Sequence, residues 1–269
     1  LISARKYRPK SFNEVVGQEV ITSTLENAVK NKQLSQALLF TGPRGVGKTS
    51  CARILAKMIN ADKITSESDY SFNIFELDAA SNNGVDGIRN LTDQIRIPPQ
   101  IGNFKVYIID EVHMLSSSAF NAFLKTLEEP PRHCVFILAT TEKHKIIPTI
   151  LSRCQIYDFK RISVDDISSY LINISKHEKV KYEENAIQFI AKKADGSMRD
   201  ALQIYDRILS SKNNEVSIAN VMESLNILDN QVYFDLLHLI INNEIPKLLV
   251  LTNSILARGI QGDILISGL

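Results

Sequence analysis

The sequence predicts an α/β fold: a five-stranded parallel sheet with helices on both faces, followed by purely helical segments. Three observations carry this. Short apolar runs alternate with amphipathic stretches through the first 160 residues. One of these runs leads through a glycine-rich turn directly into a helical pattern. After Phe159 the strand signal stops.

The strands are expected at Ala37 to Thr41, Phe72 to Asp78, Lys105 to Ile109, Val135 to Thr140 and Gln155 to Phe159. Runs that are apolar throughout, separated by helices, fit strands buried on both faces of a parallel sheet. Among the helices between them, one repeats Cys51, Ile54, Leu55, Met58 and Ile59, and another Phe120, Phe123, Leu124 and Leu127, at helical spacing. Pro98-Pro99 and Pro130-Pro131 punctuate two helix ends. Ser163 with Asp166 forms a capping-box pattern for a helix running to about Glu178. A second helix, near Asn185 to Ala194, stops at Asp195-Gly196, and Ser197 can cap a third. From about Val221 another helical stretch begins. The resulting division is an α/β domain over 1–159, a small three-helix domain over 160–220, and the start of an all-helical domain over 221–269.

Composition excludes several classes. With 269 residues, 44% of them hydrophobic, the chain can bury a sizeable core, which excludes intrinsic disorder. Thirty-one basic against 30 acidic residues leave a net charge of +1, so bulk basic attraction to nucleic acid is excluded, while a local basic face is not. No apolar run reaches the roughly 18 residues that span a bilayer, and no signal peptide pattern opens the chain. The first residue is Leu, so the chain reads as a piece of a longer soluble protein, expected in the cytoplasm. Cys51, Cys134 and Cys154 lack C-x-x-C spacing, and no two histidines stand at i,i+4. That argues for free thiols in a reducing compartment and against a metal held by protein side chains alone.

The run Gly42-Pro43-Arg44-Gly45-Val46-Gly47-Lys48-Thr49 fits G-x-x-x-x-G-K-[ST] between a strand and a helix. Glycines let backbone N–H groups turn inward around a phosphate, and the positive end of the following helix adds to the field. Lys48 brings a full charge to the β- and γ-phosphates, and the Thr49 hydroxyl ligates Mg²⁺. Four apolar residues, Val106 to Ile109, end in Asp110-Glu111, which delivers two carboxylates to the crevice at the C-terminal edge of the sheet. Asp110 suits Mg²⁺ and Glu111 suits orientation of an attacking water. A strand ending in acids is also common at surfaces; the phosphate loop about 60 residues earlier is what favours the chemical reading. Thr140-Thr141 ends the next strand. A hydroxyl there is more often a satisfied strand-end threonine than a γ-phosphate sensor, and lone arginines such as Arg153 and Arg199 are more often solvated than catalytic.

Together these pieces resemble the gamma/tau clamp-loader subunits of the bacterial replicative DNA polymerase (DNA polymerase III), members of the AAA+ ATPases. The resemblance rests on Arg5-Lys6-Tyr7-Arg8-Pro9 with Val15-Val16-Gly17-Gln18, on Gly42 to Ser50, and on Glu76 to Ser81. It continues through Ile109 to Leu115, Lys125 to Pro131, Ser152-Arg153-Cys154 and Gly196 to Ala201. The family implies an AAA+ fold with a helical lid and a collar that holds a ring together. It implies ATP and Mg²⁺ as cofactors, with Gly42, Gly45, Val46, Gly47, Lys48, Thr49 and Ser50 around the phosphates. Tyr7, Arg8, Pro9 and Val16 match the segment lining the adenine pocket. Thr141 matches the first sensor and Arg199 the second, while Arg153 looks like an arginine finger supplied to a neighbouring subunit's ATP. The implied partners are delta and delta-prime subunits, further gamma/tau copies, the sliding clamp and primer–template DNA, with Arg89 at a position that follows the DNA backbone. The resemblance implies no membrane partner and no polymerase active site in this chain.

One departure concerns metal. Many members carry a four-cysteine zinc module between the first helix and the second strand; here Asn60 to Ser71 is short and contains no cysteine, so no zinc is expected. Two other readings are open. One is another AAA+ DNA-remodelling ATPase, such as a branch-migration motor, which would share Lys48, Asp110 and Glu111 but not the runs around them. The other is a structural loader subunit without chemistry, against which the intact Lys48, Thr49, Asp110 and Glu111 argue.

Overall fold

The computed structural model describes residues 3–64, 66, 69–82, 84–211, 215–225, 230–257, 262, 265 and 266. Its centre is a parallel sheet of β1 (Ala37–Thr41), β2 (Ile74–Asp78), β3 (Lys105–Asp110), β4 (Cys134–Thr140) and β5 (Gln155–Asp158), in the order β2-β3-β4-β1-β5. The α/β fold and the five strands agree with the reading of the sequence. The second strand starts at Ile74 rather than Phe72. Asn73 is buried and its amide donates to the Ile101 and Phe104 carbonyls, which turns the chain just before the strand.

Why the central runs are apolar at every position is visible in how they divide. Ala37 and Leu39 of β1 face α4 (Val85–Ile95) and α5 (Ser117–Glu128), which follow α1 (Ser3–Lys6), α2 (Glu19–Lys30) and α3 (Lys48–Met58) in the chain. Leu38 and Phe40 face α2 and α3. β3 and β4 split the same way: Tyr107 and Phe136 stack on the first face, and Ile108 and Ile137 fill the second. Each such side chain, when fully buried, contributes about 1.5–3 kcal/mol. Two cores thus fix the sheet from both sides. The short link from α3 to β2 is stapled by Asn60, whose side-chain Oδ1 accepts from the Asn103 and Phe104 amides at 2.9 Å each.

A short helix, α6 (Pro148–Leu151), precedes β5. Beyond β5 come α7 (Val164–Glu178), α8 (Glu184–Lys193) and α9 (Met198–Ser211). The Ser163 hydroxyl accepts from the Asp166 amide, the cap the pattern predicts, and also donates to the Asp166 carboxylate. α8 stops where Asp195 and Gly196 take φ of 49° and 77°. A Cβ on Gly196 would lie 2.5 Å from Arg161 Cβ, so the turn excludes other residues. Ser197 then caps α9, accepting from the Asp200 amide. Ile167, Leu171, Ile187, Ile190, Ala201 and Tyr205 are among the fully buried residues of a separate core.

Three features of this part differ from expectation or were invisible. Strands do occur after Phe159: β6 (Lys181–Tyr182) pairs in parallel with β7 (Glu215–Val216). Two-residue strands carry no periodicity, and this pair forms because Val216 is buried among the helices. α10 (Ile218–Ser224) starts before Val221, capped by Ser217, and buries Val221 in the same helical core, so a boundary at 220/221 falls inside it. Finally, the N-terminal segment, numbered with the α/β domain, is strapped to the helical one. The Ser3 amide donates to Asp206 at 2.6 Å, the Tyr170 hydroxyl donates to the Tyr7 carbonyl at 3.0 Å, and Lys6 and Tyr7 both bond Glu178.

α11 (Asn230–Ile241) and α12 (Ile245–Ala257) close on a small cluster of Leu236, Ile255 and Leu265. Phe234, Ile241, Leu249 and Val250 on them are exposed. No helix among the described residues is long and apolar enough to cross a membrane. The three cysteines are free, and burial pushes the Cys51 thiol up to about 12 and those of Cys134 and Cys154 to about 11, so all three are protonated thiols near neutrality.

Candidate active site

β4 lies between β1 and β3, so three strand ends converge on the C-terminal edge: Gly42 after β1, Asp110-Glu111 after β3, and Thr140-Thr141 at the end of β4. Such an edge is where open parallel sheets bind ligands. The loop after β1 turns on Gly42, Gly45 and Gly47, with φ of 139°, 76° and 105°. At Gly42 a Cβ would sit 2.3 Å from the Phe159 carbonyl oxygen, and at Gly45 2.0 Å from Ser197 Oγ. Only glycine fits either position. α3 then begins at Lys48 with no side-chain cap, which leaves its first N–H groups directed at the loop.

Lys48 is buried, its ammonium donating to the Gly42 and Pro43 carbonyls at 2.7 Å each. Burial pulls it below the ordinary lysine value, and the charges of Glu111 and Asp110 oppose that. The Thr49 hydroxyl donates to Asp110 Oδ2 at 2.7 Å. A hydroxyl oxygen and a carboxylate this close are oxygen donors of the kind that suits Mg²⁺. Asp110 Oδ1 accepts from the Glu111 amide at 3.0 Å. Glu111 itself has φ 48° and ψ 44°, a left-handed conformation that L-residues adopt at a cost of about 1–2 kcal/mol. Its Oε2 accepts from Thr141 Oγ1 at 3.0 Å and from the Thr141 amide at 3.3 Å.

Over these groups lies a cavity of about 500 Å³, bounded by the N-terminal segment, the glycine loop, the end of β3 and the start of α9. It brings together thirteen residues singled out in the sequence: Tyr7, Arg8, Pro9, Val16, Gly45, Val46, Gly47, Lys48, Thr49, Ser50, Asp110, Glu111 and Arg199. Gly42 reaches the site through the Lys48 contact and Thr141 through Glu111. The Arg8 guanidinium lies toward α3: its Nε donates to Ser50 Oγ at 3.3 Å, and burial, with Arg53 and Arg199 near, holds it below the ordinary arginine value. The Arg199 amide donates to the Gly45 carbonyl at 3.4 Å, so the helical domain touches the glycine loop itself.

Arg153 is not among the residues lining this cavity. It pairs with Glu128 at 2.8 Å and donates to the Thr149 carbonyl at 2.7 Å. Arg89 belongs to α4, and its side chain lies outside the described residues. The cavity also recruits residues to which the sequence reading gave no site role, among them Val15, Arg44, Ile162, Tyr170, Leu202 and Gln203. Helical spacing could have found the last two, because positions 198, 199, 202 and 203 share one face of α9. Nothing local marks Ile162 or Tyr170.

Comparisons with known proteins bear on this geometry. A family described as DNA polymerase III, delta subunit, matches residues 17–163, and one described as DNA polymerase III clamp loader subunit, ATPase lid domain, matches 166–211. DNA polymerase III subunit tau of Bacillus subtilis is 48% identical over 81% of this chain and 41% of its own length. The gamma subunit of Buchnera aphidicola from Schizaphis graminum is 39% identical over 97% of this chain and 75% of its own. The chain belongs to the DNA polymerase III gamma/tau clamp-loader family. It spans about two fifths of the length of the tau relatives, including that of Escherichia coli, which is 41% identical over 98% of the chain. As a member of that family of AAA+ ATPases, the chain carries a nucleotide-binding fold. The Thermotoga maritima Holliday junction branch migration motor RuvB superposes with a TM-score of 0.64 over 96% of this chain and 87% of its own, at 24% identity, which shows the shared fold.

Proposed function

We propose that this chain is an ATP-hydrolysing motor subunit of a clamp loader, which uses ATP to open a ring-shaped sliding clamp and load it onto primed DNA. The observation that carries it is the floor of the cavity: Lys48, the Thr49–Asp110 pair and a strained Glu111 converge beneath one volume that the helical domain roofs with Arg199.

In this reading the amides of Gly45 to Ser50 hold the β-phosphate, and Lys48 leaves its two carbonyls to meet the β- and γ-oxygens. Thr49 and Asp110 would hold Mg²⁺, which neutralises charge on those oxygens. Glu111 orients and polarises the water that attacks the γ-phosphorus as the bond to the bridging oxygen breaks, giving ADP and phosphate. Thr141 acts on the γ-phosphate region through Glu111, and Arg199 reaches it from the lid. Tyr7, Pro9 and Val16 line the adenine end, with Arg8 turned toward the phosphates. Arg153, outside its own cavity, fits a finger donated to a neighbouring copy. Under this proposal residues 1–159 form the motor domain, 160–220 with the rest of α10 the lid, and the remainder the start of a collar whose exposed apolar face would pack on delta, delta-prime or further gamma/tau subunits. Arg89 would follow primer–template DNA, and the protein would work in the cytoplasm without zinc.

The test is ATP hydrolysis by the full-length chain mixed with delta and delta-prime, with and without clamp and primed DNA. Strong stimulation by clamp plus primed DNA, lost in Lys48→Ala, supports a loading motor. Hydrolysis indifferent to the clamp would move the function to another AAA+ task, and hydrolysis unchanged by Lys48→Ala would leave a structural subunit.

A further inference from the structure

Beside Glu111 lies a polar cluster, outside the cavity lining, that has a buried centre and a partly exposed rim. Its centre is His113, in the single turn that follows β3, with a side chain only 7% exposed. Nε2 stands 3.0 Å from Glu142 Oε2. Nδ1 stands 2.9 Å from Thr140 Oγ1 and 3.4 Å from Glu111 Oε2. The partners are themselves tied down. The Thr140 hydroxyl oxygen accepts from the Glu142 amide at 3.0 Å, and Lys145 holds the Glu142 carboxylate at 2.7 Å.

The donor pattern follows from chemistry. An ionised carboxylate only accepts, so a hydrogen on Nε2 suits the side facing Glu142, and Nδ1 makes the contact to Thr140 with either partner donating. The ring is therefore wedged between the end of β3 and the end of β4, with a hydrogen bond to Thr140 at Nδ1 and the Glu142 carboxylate beside Nε2. Its neighbour across the wedge is the same Oε2 of Glu111 that Thr141 grips. Glu111 occupies a left-handed backbone conformation that surrounding contacts must hold, and its carboxylate is directed by Thr141 and His113.

We propose that His113 is a positioning residue for hydrolysis: by bridging Thr140 and Glu142 it fixes the β4 end against β3, and so sets where Thr141 presents Glu111 to the attacking water. This rests on the reading of Glu111 as the group that polarises water. His113 does not line the nucleotide cavity, so its removal acts on the chemical step and not on ATP binding. A displacement of about 1 Å of a reacting group lowers rates by about 100-fold.

The experiment measures steady-state hydrolysis by the full-length chain in its assembled complex with clamp and primed DNA, together with ATP affinity and thermal midpoint. The variants are His113→Ala, His113→Asn, His113→Gln and Glu111→Gln. The expected result is a kcat lower by about 10- to 100-fold in His113→Ala, with KM and ATP affinity within about twofold of the parent. His113→Asn, whose amide can stand where Nδ1 stands, is expected to regain most of the lost rate, and His113→Gln, which reaches only toward Glu142, less. If His113→Ala does not fold, the Asn and Gln pair carries the same comparison. An unchanged kcat in His113→Ala beside a dead Glu111→Gln would overturn the proposal and leave the role of Glu111 standing. Equal losses of rate, affinity and thermal midpoint in all three His113 variants would reduce it to packing, and also overturn it. Full activity in Glu111→Gln would remove both readings.

Discussion

The two ends of the cavity are built in different ways. The phosphate end comes from two contiguous runs, Gly42 to Ser50 and Asp110-Glu111, each at the end of a strand. In the proposed reading the base end comes from segments far apart in the chain, Tyr7, Pro9 and Val16 with Ile162 and Tyr170, all of which line the cavity. Phosphate needs inward-facing amides, a lysine and a hydroxyl at set spacing on one turn, which only a local run can supply. A base needs an apolar slot, and any residues that the fold brings together can line it. One end should therefore fail by losing chemistry, the other by losing fit.

The largest effect should come from completing the phosphate end from outside. Arg153→Ala is expected to lower hydrolysis by the assembled complex about 1000-fold while leaving ATP binding by the isolated chain intact. Weaker ATP binding in the isolated chain would place the arginine in its own site and contradict the in-trans role. Within the chain, Lys48→Ala should lower kcat/KM about 100- to 1000-fold, read from hydrolysis against ATP concentration. Glu111→Gln should lower kcat by a similar factor with nucleotide binding preserved, which equilibrium binding of ATP would show.

Gly45→Ala addresses the seam where the ends meet. A Cβ there collides with Ser197 and forces a residue into a left-handed conformation, so a loss of about 1–3 kcal/mol in stability is expected, with ATP affinity down about tenfold. A thermal melt with and without ATP separates the two contributions, and an unchanged ATP shift would mean the lid does not depend on this contact. Smallest is Tyr170→Phe at the base end. Losing its bond to the Tyr7 carbonyl should cost about 1 kcal/mol and weaken ATP severalfold without changing kcat. A fall in kcat instead would erase the distinction between the two ends.

Much of this was legible before any coordinates. β1 matched residue for residue because an all-apolar run bounded by turn formers leaves little freedom, and the Ser163 and Ser197 caps matched because capping is local hydrogen-bond chemistry. Less legible were β6 and β7, too short for any period, and the attachment of Ser3 to Tyr7 to the helical domain, which depends on Asp206, Tyr170 and Glu178 lying more than 160 residues away. The same holds for His113: the sequence shows a histidine two residues after Glu111, but its partners Thr140 and Glu142 arrive only when β4 inserts between β1 and β3.

Residue type and spacing were enough to specify a parallel sheet, a phosphate loop and a pair of carboxylates, because each is set by backbone geometry and by ligand chemistry acting over a few residues. Which helix roofs the cavity, which residues line its apolar end, what holds Glu111 in its strained conformation and where Arg153 points were settled by packing. Those contacts join segments distant in sequence, and their energies depend on burial and on strand order, neither of which a local pattern records.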